Sequence, residues 1–225
     1  MLNKKPEQIQ KMFNDIADSY DFCNNIISLF THNPVKKYAI KKLDIKQNAK
    51  ILDFCCGTGD MGKYIKKLFP LTEITGIDFS EKMLNIAKNK NPNIQYVLKD
   101  VTNTDFKDNT FDYVTEAFGL RNIENREKAL DEIYRILKPE GYFLHLDFNG
   151  QNFLNNIFYF YATHSVRIFA KKNLQAYKYL TESIKNFPNS KDFIKEVEMH
   201  NFSTELNESI FFGVISFQIY KKIKN

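Results

Sequence analysis

Four short apolar runs in this chain close on an aspartate, at Asp53, Asp78, Asp100 and Asp147. The first lies in Ile51-Leu52-Asp53-Phe54-Cys55-Cys56-Gly57-Thr58-Gly59-Asp60, where an apolar run breaks into a turn of small residues and a helical pattern follows over 61–68. A strand, a tight turn and a helix in this order present backbone N–H groups and a helix N-terminus to a ligand. Gly57 and Gly59 let the backbone turn sharply and approach that ligand closely. A phosphate loop would need a lysine at the end of the turn, and none stands here. A dinucleotide loop would need a third glycine, and Asp60 would face the pyrophosphate. Acids on both sides of the turn suit a cationic or neutral ligand. S-adenosylmethionine, with an ammonium, a sulfonium and no phosphate, is such a ligand. Read alone, the turn is more readily a structural connection between strand and helix.

Asp78, followed by Phe79 and Ser80, ends the second run about 20 residues beyond the turn, the interval at which a carboxylate accepts from ribose hydroxyls. Ser80 reads as the N-cap of a helix over 81–90. Asp100 ends the third run; its carboxylate suits an adenine amino group while the Val101 N–H donates to the ring. Phe118-Gly119-Leu120-Arg121-Asn122 leaves a fourth strand, 111–117, at the same edge.

The elements that must position these residues alternate. Strands are expected at 51–54, 74–77, 94–98, 111–117 and 142–148, with helices at 61–68, 81–90 and 125–137, the last stopped by Pro139 and Gly141. Helical patterns at 174–185 and 191–200 precede two strands, 205–210 and 213–220, joined as a hairpin. The expected fold is α/β: a seven-stranded, mostly parallel sheet, helices on both faces, and a C-terminal antiparallel hairpin. Ligands of such sheets sit outside the carboxyl ends of the strands, where all four aspartates fall. The whole chain reads as one domain: an N-terminal helical lid (1–45) carrying Tyr20, a cofactor-binding core (49–148), helices on the substrate side (151–200) and the C-terminal strands (203–222). The stretch 152–169 is unusually aromatic, which fits core packing or a pocket for a large apolar substrate.

The net charge of +5 is spread over short lysine pairs, so no basic arm for nucleic acid is expected. The three cysteines, Cys23, Cys55 and Cys56, form no disulfide framework and no zinc spacing. No apolar run approaches the length of a membrane span, so a cytoplasmic protein is expected.

The turn, Asp78-Phe79-Ser80, Asp100-Val101 and Leu137-Lys138-Pro139-Glu140-Gly141 resemble the Rossmann-like S-adenosylmethionine-dependent methyltransferases. Met12-Phe13, Ala17 with Tyr20-Asp21 and Asn24, the Phe118-to-Asn122 segment, Arg135 to Pro139, and Tyr177 through Tyr179-Leu180, Glu182-Ser183-Ile184 and Phe187-Pro188 narrow the resemblance. Together they look like the ubiquinone/menaquinone biosynthesis C-methyltransferases, which methylate a ring carbon of a polyprenyl benzoquinol or of demethylmenaquinol. The chain departs from that pattern at Cys55 for a first glycine, Val35 for a tryptophan, Phe30 and Glu140 for glycines, and Gln218 for a histidine. Arg167 stands near a usual proline, and Phe212-Gly213 stands for a glycine pair.

The resemblance implies S-adenosylmethionine as cofactor, held by Asp53, Cys55, Gly57, Thr58, Gly59, Asp78, Phe79, Asp100, Val101 and Ala117, with no metal. It implies Arg121 and Asn122 as catalytic residues facing a polyprenyl quinol, demethylmenaquinol foremost, and Tyr20 as a catalytic-site residue that helps close the site. Arg121 would stabilise the developing phenolate and Asn122 orient the quinol or a water; His164 and Asp147 are the candidate bases, with His164 read more readily as a residue packed among aromatic neighbours. A lipid substrate also implies a peripheral contact with the inner face of the membrane, and a homodimer is compatible with the sequence. The alternatives are a methyltransferase of another phenolic or lipid substrate, a nucleic-acid methyltransferase, whose catalytic motif is missing after the fourth strand, and a non-catalytic scaffold.

Overall fold

The computed structural model of the chain describes residues 5–150, 154, 161, 164 and 174–224. The aromatic stretch 152–169, Arg167 included, lies outside the described residues except at Leu154, Tyr161 and His164.

Two helices open the chain. Helix α1 spans Pro6–Ile27, with Pro6 in its first turn, where a missing N–H costs nothing. It is one continuous helix, ended where Leu29 and Phe30 adopt left-handed backbone. Helix α2 spans His32–Lys42. The alternating core follows: β1 (Lys50–Phe54), α3 (Asp60–Leu68), β2 (Glu73–Asp78), α4 (Glu81–Lys90), β3 (Gln95–Leu98) and β4 (Phe111–Ala117). A 3-10 turn (Leu120–Asn122), α5 (Arg126–Ile136) and β5 (Leu137–Phe148) complete it. After the aromatic stretch come α6 (Leu174–Lys185), α7 (Ser190–Glu198), β6 (Phe202–Ile210) and β7 (Ile215–Lys222).

The seven strands form one sheet in the order β3-β2-β1-β4-β5-β7-β6. The first five are mutually parallel, and β7 runs antiparallel between β5 and β6. This is the expected Rossmann-like α/β architecture with its C-terminal hairpin. Residues 137–141 differ from expectation. They are the start of β5, where Leu137 pairs with Phe111 before a bulge restores the register at Tyr113 and Tyr142. Pro139 lacks the N–H that a helix needs, and Lys138 reaches Asp112 of β4 at 2.7 Å, so the segment docks on the sheet.

Side-chain alternation along the strands builds a core on each face. Ile51, Leu144, Leu146 and Phe217 pack with Ala39, Ile40, Tyr64 and Ile65 of α2 and α3. Leu52, Phe54, Val114 and Phe143 pack with Ile133 and Ile136 of α5 and Phe193 and Val197 of α7. A third cluster joins Ile16, Ala17 and Cys23 of α1 to Met83 of α4 and Tyr177 and Leu180 of α6. The N-terminal helix is therefore seated between two helices at the carboxyl edge of the sheet. No helix among the described residues is long and apolar enough to cross a membrane.

Ser80 performs two jobs. Its Oγ accepts from the Met83 N–H as the expected cap of α4, and it lies 2.8 Å from Asn14 Oδ1 of α1. Removing the hydroxyl in Ser80→Ala is expected to cost about 1 kcal/mol. A fall in the urea midpoint at unchanged slope checks this; an unchanged midpoint contradicts it.

Candidate active site

Strands β1 and β4 are neighbours whose onward connections lead to opposite halves of the sheet, which opens a crevice at their carboxyl ends. Two turns line it. After β1, Cys55, Gly57 and Gly59 all have positive φ, at 58°, 53° and 82°. Cys55 thus stands where glycine is the easier choice, and carries the strain of a side chain in left-handed backbone. After β4, Phe118 is also left-handed at 64°. The turns touch: a Cβ on Gly119 would lie 2.5 Å from Cys55 Cβ. A Cβ on Gly57, by contrast, would meet nothing within 4 Å, so this turn leaves open space for a ligand.

Gly57 opens onto a cleft of about 1350 Å³ that runs past Asp78, Phe79, Asp100, Val101, Ala117, Phe118 and Asn122. Asp78 braces the turn. Its Oδ2 accepts from Gly57 N and its Oδ1 from Ser80 N, both at 2.9 Å. Burial pushes its carboxyl up, against the opposing pull of the Ser80, Gly57 and Phe79 N–H groups. Asp100 Oδ1 accepts from the Thr102 N–H and hydroxyl, both at 2.8 Å.

A smaller cavity of about 110 Å³ lies on the other side of the turns, lined by Asp53, Thr58, His32, Lys36, Arg121 and Phe148 among others. Tyr20, Cys55, Gly57, Ala117 and Phe118 line both spaces. The 3-10 turn divides its two candidates: Arg121 faces the smaller cavity and Asn122 the cleft. Arg121 is fixed on several sides. Its Nη1 donates to Asp147 Oδ1 at 2.7 Å and to Phe118 O at 2.6 Å, and its guanidinium lies 5.8 and 5.7 Å from the Phe118 and Phe148 ring centroids. Its Nε is buried with no partner among the described residues.

Of the two expected bases, Asp147 is fully buried behind Arg121 and lines neither space, and burial pushes its carboxyl up despite the guanidinium. His164 is exposed and lines neither space. His32 and Lys36, by contrast, were not among the expected site residues, and both line the smaller cavity. His32 Nε2 lies 2.9 Å from Asn25 Oδ1. Burial and then Lys36 lower its pKa to about 4, so it is neutral at pH 7. In the sequence it is a lone histidine with no motif around it.

Asp60 does not offer the free negative charge that the turn suggested. Lys36 and Lys90 contact it at 3.1 and 3.0 Å. Burial works to raise its carboxyl, and the two lysines outweigh that and hold it well below the usual range. Lys90 also reaches Asp21 of α1 at 2.7 Å, and Asp21 accepts from the Thr58 hydroxyl at 2.6 Å. One ionic latch thus ties both N-terminal helices to the glycine turn. Asp53 lies beneath that turn, its Oδ2 accepting from Gly62 N at 3.1 Å. Burial raises its pKa from 3.8 to about 7.

The ubiE/COQ5 methyltransferase family matches residues 1–222 of the chain. Demethylmenaquinone methyltransferases of Staphylococcus aureus strains JH9 and Newman are 35% identical to it, covering 97% of this chain and 95% of theirs. Among solved structures, a chain from a Haloferax volcanii complex of the Trm112 methyltransferase activator with a methyltransferase superposes with a TM-score of 0.73 at 13% identity, covering 94% of this chain and 98% of that one. A SAM-dependent methyltransferase from Thermotoga maritima gives 0.72 at 19% identity, covering 96% and 100%. The Haemonchus contortus phosphoethanolamine N-methyltransferase 2 complex with S-adenosyl-L-methionine gives 0.68 at 18%, covering 94% and 60%.

Two outcomes follow from the charges. Lys90→Met opens the latch; its ion pairs are partly exposed and worth up to about 1 kcal/mol each, so S-adenosylmethionine binding is expected to weaken roughly fivefold by calorimetry. Unchanged binding contradicts a part for the latch. Because the folded chain holds the Asp53 proton more tightly than the unfolded one, the stability this group contributes below pH 4 or so is lost as pH rises through about 7. Asp53→Asn removes that loss, so its Tm relative to the parent is expected to shift upward between pH 5 and pH 8. A pH-independent difference contradicts the raised pKa.

Proposed function

The chain belongs to the ubiE/COQ5 methyltransferase family and is an S-adenosylmethionine-dependent methyltransferase; from this premise we propose that it methylates a ring carbon of a polyprenyl quinol, converting demethylmenaquinol to menaquinol. The substrate rests on one observation above others, the near full-length match to demethylmenaquinone methyltransferases. The two spaces that meet at Tyr20, Cys55, Gly57, Ala117 and Phe118 support it, because a methyl donor in one and a quinol in the other would touch there.

In this reading Asp78, Phe79, Asp100 and Val101 hold the nucleoside end of the cofactor in the cleft, with Gly57 giving it room. Asp53, Thr58 and Gly59 shape the turn beneath it. The bound cofactor supplies a methyl group activated by a sulfonium. Methyl transfer spreads charge rather than creating it, so the chain contributes positioning and exclusion of water. A quinol carbon becomes nucleophilic when the neighbouring hydroxyl loses its proton. Arg121, pinned by Asp147 and set beside the Phe118 and Phe148 rings, points its guanidinium to the smaller cavity and stabilises the phenolate oxygen. Burial raises the Tyr20 pKa, so this hydroxyl stays protonated and donates at the meeting point. Asp147 and His164 lie away from both spaces, so the hydroxyl proton passes to water in the smaller cavity rather than to either of them; once the methyl carbon has left sulfur for the ring, the hydrogen on that ring carbon leaves to water as a proton and restores the aromatic quinol, while Asn122 lines the cofactor side.

Ile27, Leu180, Ile184 and Ile215 give the smaller cavity an apolar wall that suits a prenyl tail. Leu29 and Phe30, exposed just beyond α1, and Phe211 and Phe212 at the β6–β7 tip support a peripheral contact with a lipid surface.

Labelled S-adenosylmethionine, offered with reduced demethylmenaquinol and with a polyprenyl benzoquinol side by side, tests the substrate. Transfer to demethylmenaquinol is expected. Cofactor binding without transfer to either quinol would overturn the reading and point to another phenolic or lipid acceptor. Arg121→Ala is expected to lower kcat roughly 100-fold while cofactor affinity holds. Undiminished turnover would remove Arg121 from the chemistry.

A further inference from the structure

Beneath the turn that carries Arg121 and Asn122 lies a buried pair of ionisable residues that does not face either cavity. Glu116 of β4 and His145 of β5 stand opposite each other in the sheet register. Neither exceeds 1% exposure. His145 Nδ1 lies 2.6 Å from Glu116 Oε2. The other carboxylate oxygen, Oε1, accepts from the backbone N–H of Gly119 and, at 3.0 Å, from that of Leu120. One side chain therefore spans the sheet on one oxygen and gathers two consecutive N–H groups of the active-site turn on the other.

Full burial of a carboxylate is unfavourable unless it is paired and hydrogen-bonded. Here its bonds converge on one imidazole and one turn. The imidazole is itself held, its ring centroid 4.3 Å from that of Phe193 and 5.8 Å from that of Phe187 on α7 and its approach. The charged neighbours include Asp147 on β5, the guanidinium of Arg121, and Asp53 of β1. Gln218 of β7 stands opposite His145 in the register on the other side. The turn has no freedom to compensate for a lost brace. Phe118 is left-handed, and Gly119 lies against both Cys55 and Glu116, where an added Cβ would come within 2.5 and 2.9 Å.

We infer that Glu116, anchored by His145, is a positioning residue for methyl transfer: its carboxylate holds the Gly119-Leu120 backbone so that Arg121 faces the smaller cavity and Asn122 the cleft. Glu116 touches neither cofactor nor quinol and acts through the turn. The activity readout rests on the methyl-transfer reading above; the backbone readout does not.

The test compares Glu116→Ala, Glu116→Gln and His145→Gln in the full chain. In Glu116→Ala, amide exchange at Gly119 and Leu120 is expected to speed up at least tenfold, and kcat to fall 10- to 100-fold with cofactor affinity within threefold of the parent. Glu116→Gln keeps a carbonyl oxygen for both N–H groups, so it is expected to restore kcat to within a few-fold. His145→Gln is expected to fall between the two, and it carries the test if Glu116→Ala does not fold. Unchanged exchange at both amides, undiminished kcat in Glu116→Ala, or equal losses in the alanine and glutamine variants would each overturn the assignment. Faster exchange in a protein whose parent methylates neither quinol would leave the brace standing and overturn the substrate reading instead.

Discussion

The site depends on one steric constraint, the contact between the turn after β1 and the turn after β4. Cys55 and Gly119 lie so close that no side chain fits at position 119. With the turns pressed together, the space outside the sheet divides into a cleft on one side and a smaller cavity on the other. The residues at the contact become the wall common to both. Each turn is braced by a buried carboxylate from a strand, Asp78 through Gly57 N and Glu116 through Gly119 and Leu120 N. Carboxylates suit this work because each can accept several N–H bonds at once, and such charge-assisted bonds are the stronger ones. Left-handed backbone at Cys55 and Phe118 is tolerated because these braces over-determine the turns.

Charge is managed by pairing. Arg121 meets Asp147, Glu116 meets His145, and Asp60 meets two lysines. Such pairs contribute little net stability, since desolvation offsets most of the attraction. What they contribute is placement. The latch of Asp21, Lys90, Asp60 and Lys36 aligns the N-terminal helices over the glycine turn, while Ile16, Ala17 and Cys23 supply the apolar packing against α4 and α6. The apolar contacts hold α1 against α4 and α6, and the ionic contacts set where it sits.

Much of this was legible in the sequence, and the exceptions share a cause. Alternating periods and the Ser80 cap located β1 to β4 and α3 to α5 within a few residues, because those signals are local. The segment 137–141 was read as a helix stop because proline and glycine mark helix ends and strand bulges alike; the Lys138 contact with Asp112 lies 26 residues away in sequence. Asp60 looked like a free anion because nothing near it reveals Lys36 or Lys90. Glu116 and His145 carried no motif, and their meeting depends on the register of β4 against β5. His32 had no motif around it either. Local chemistry was readable, then, and the partners that long-range pairing supplies were not.

A crystal structure of the chain with S-adenosylhomocysteine tests the central claim most directly. The account places the adenine beside Asp100 and Val101, the ribose at Asp78, and the sulfur at the wall formed by Cys55, Gly57, Ala117 and Phe118, facing Tyr20 and Arg121. A sulfur directed away from that wall, or a nucleoside bound outside the cleft, would contradict it.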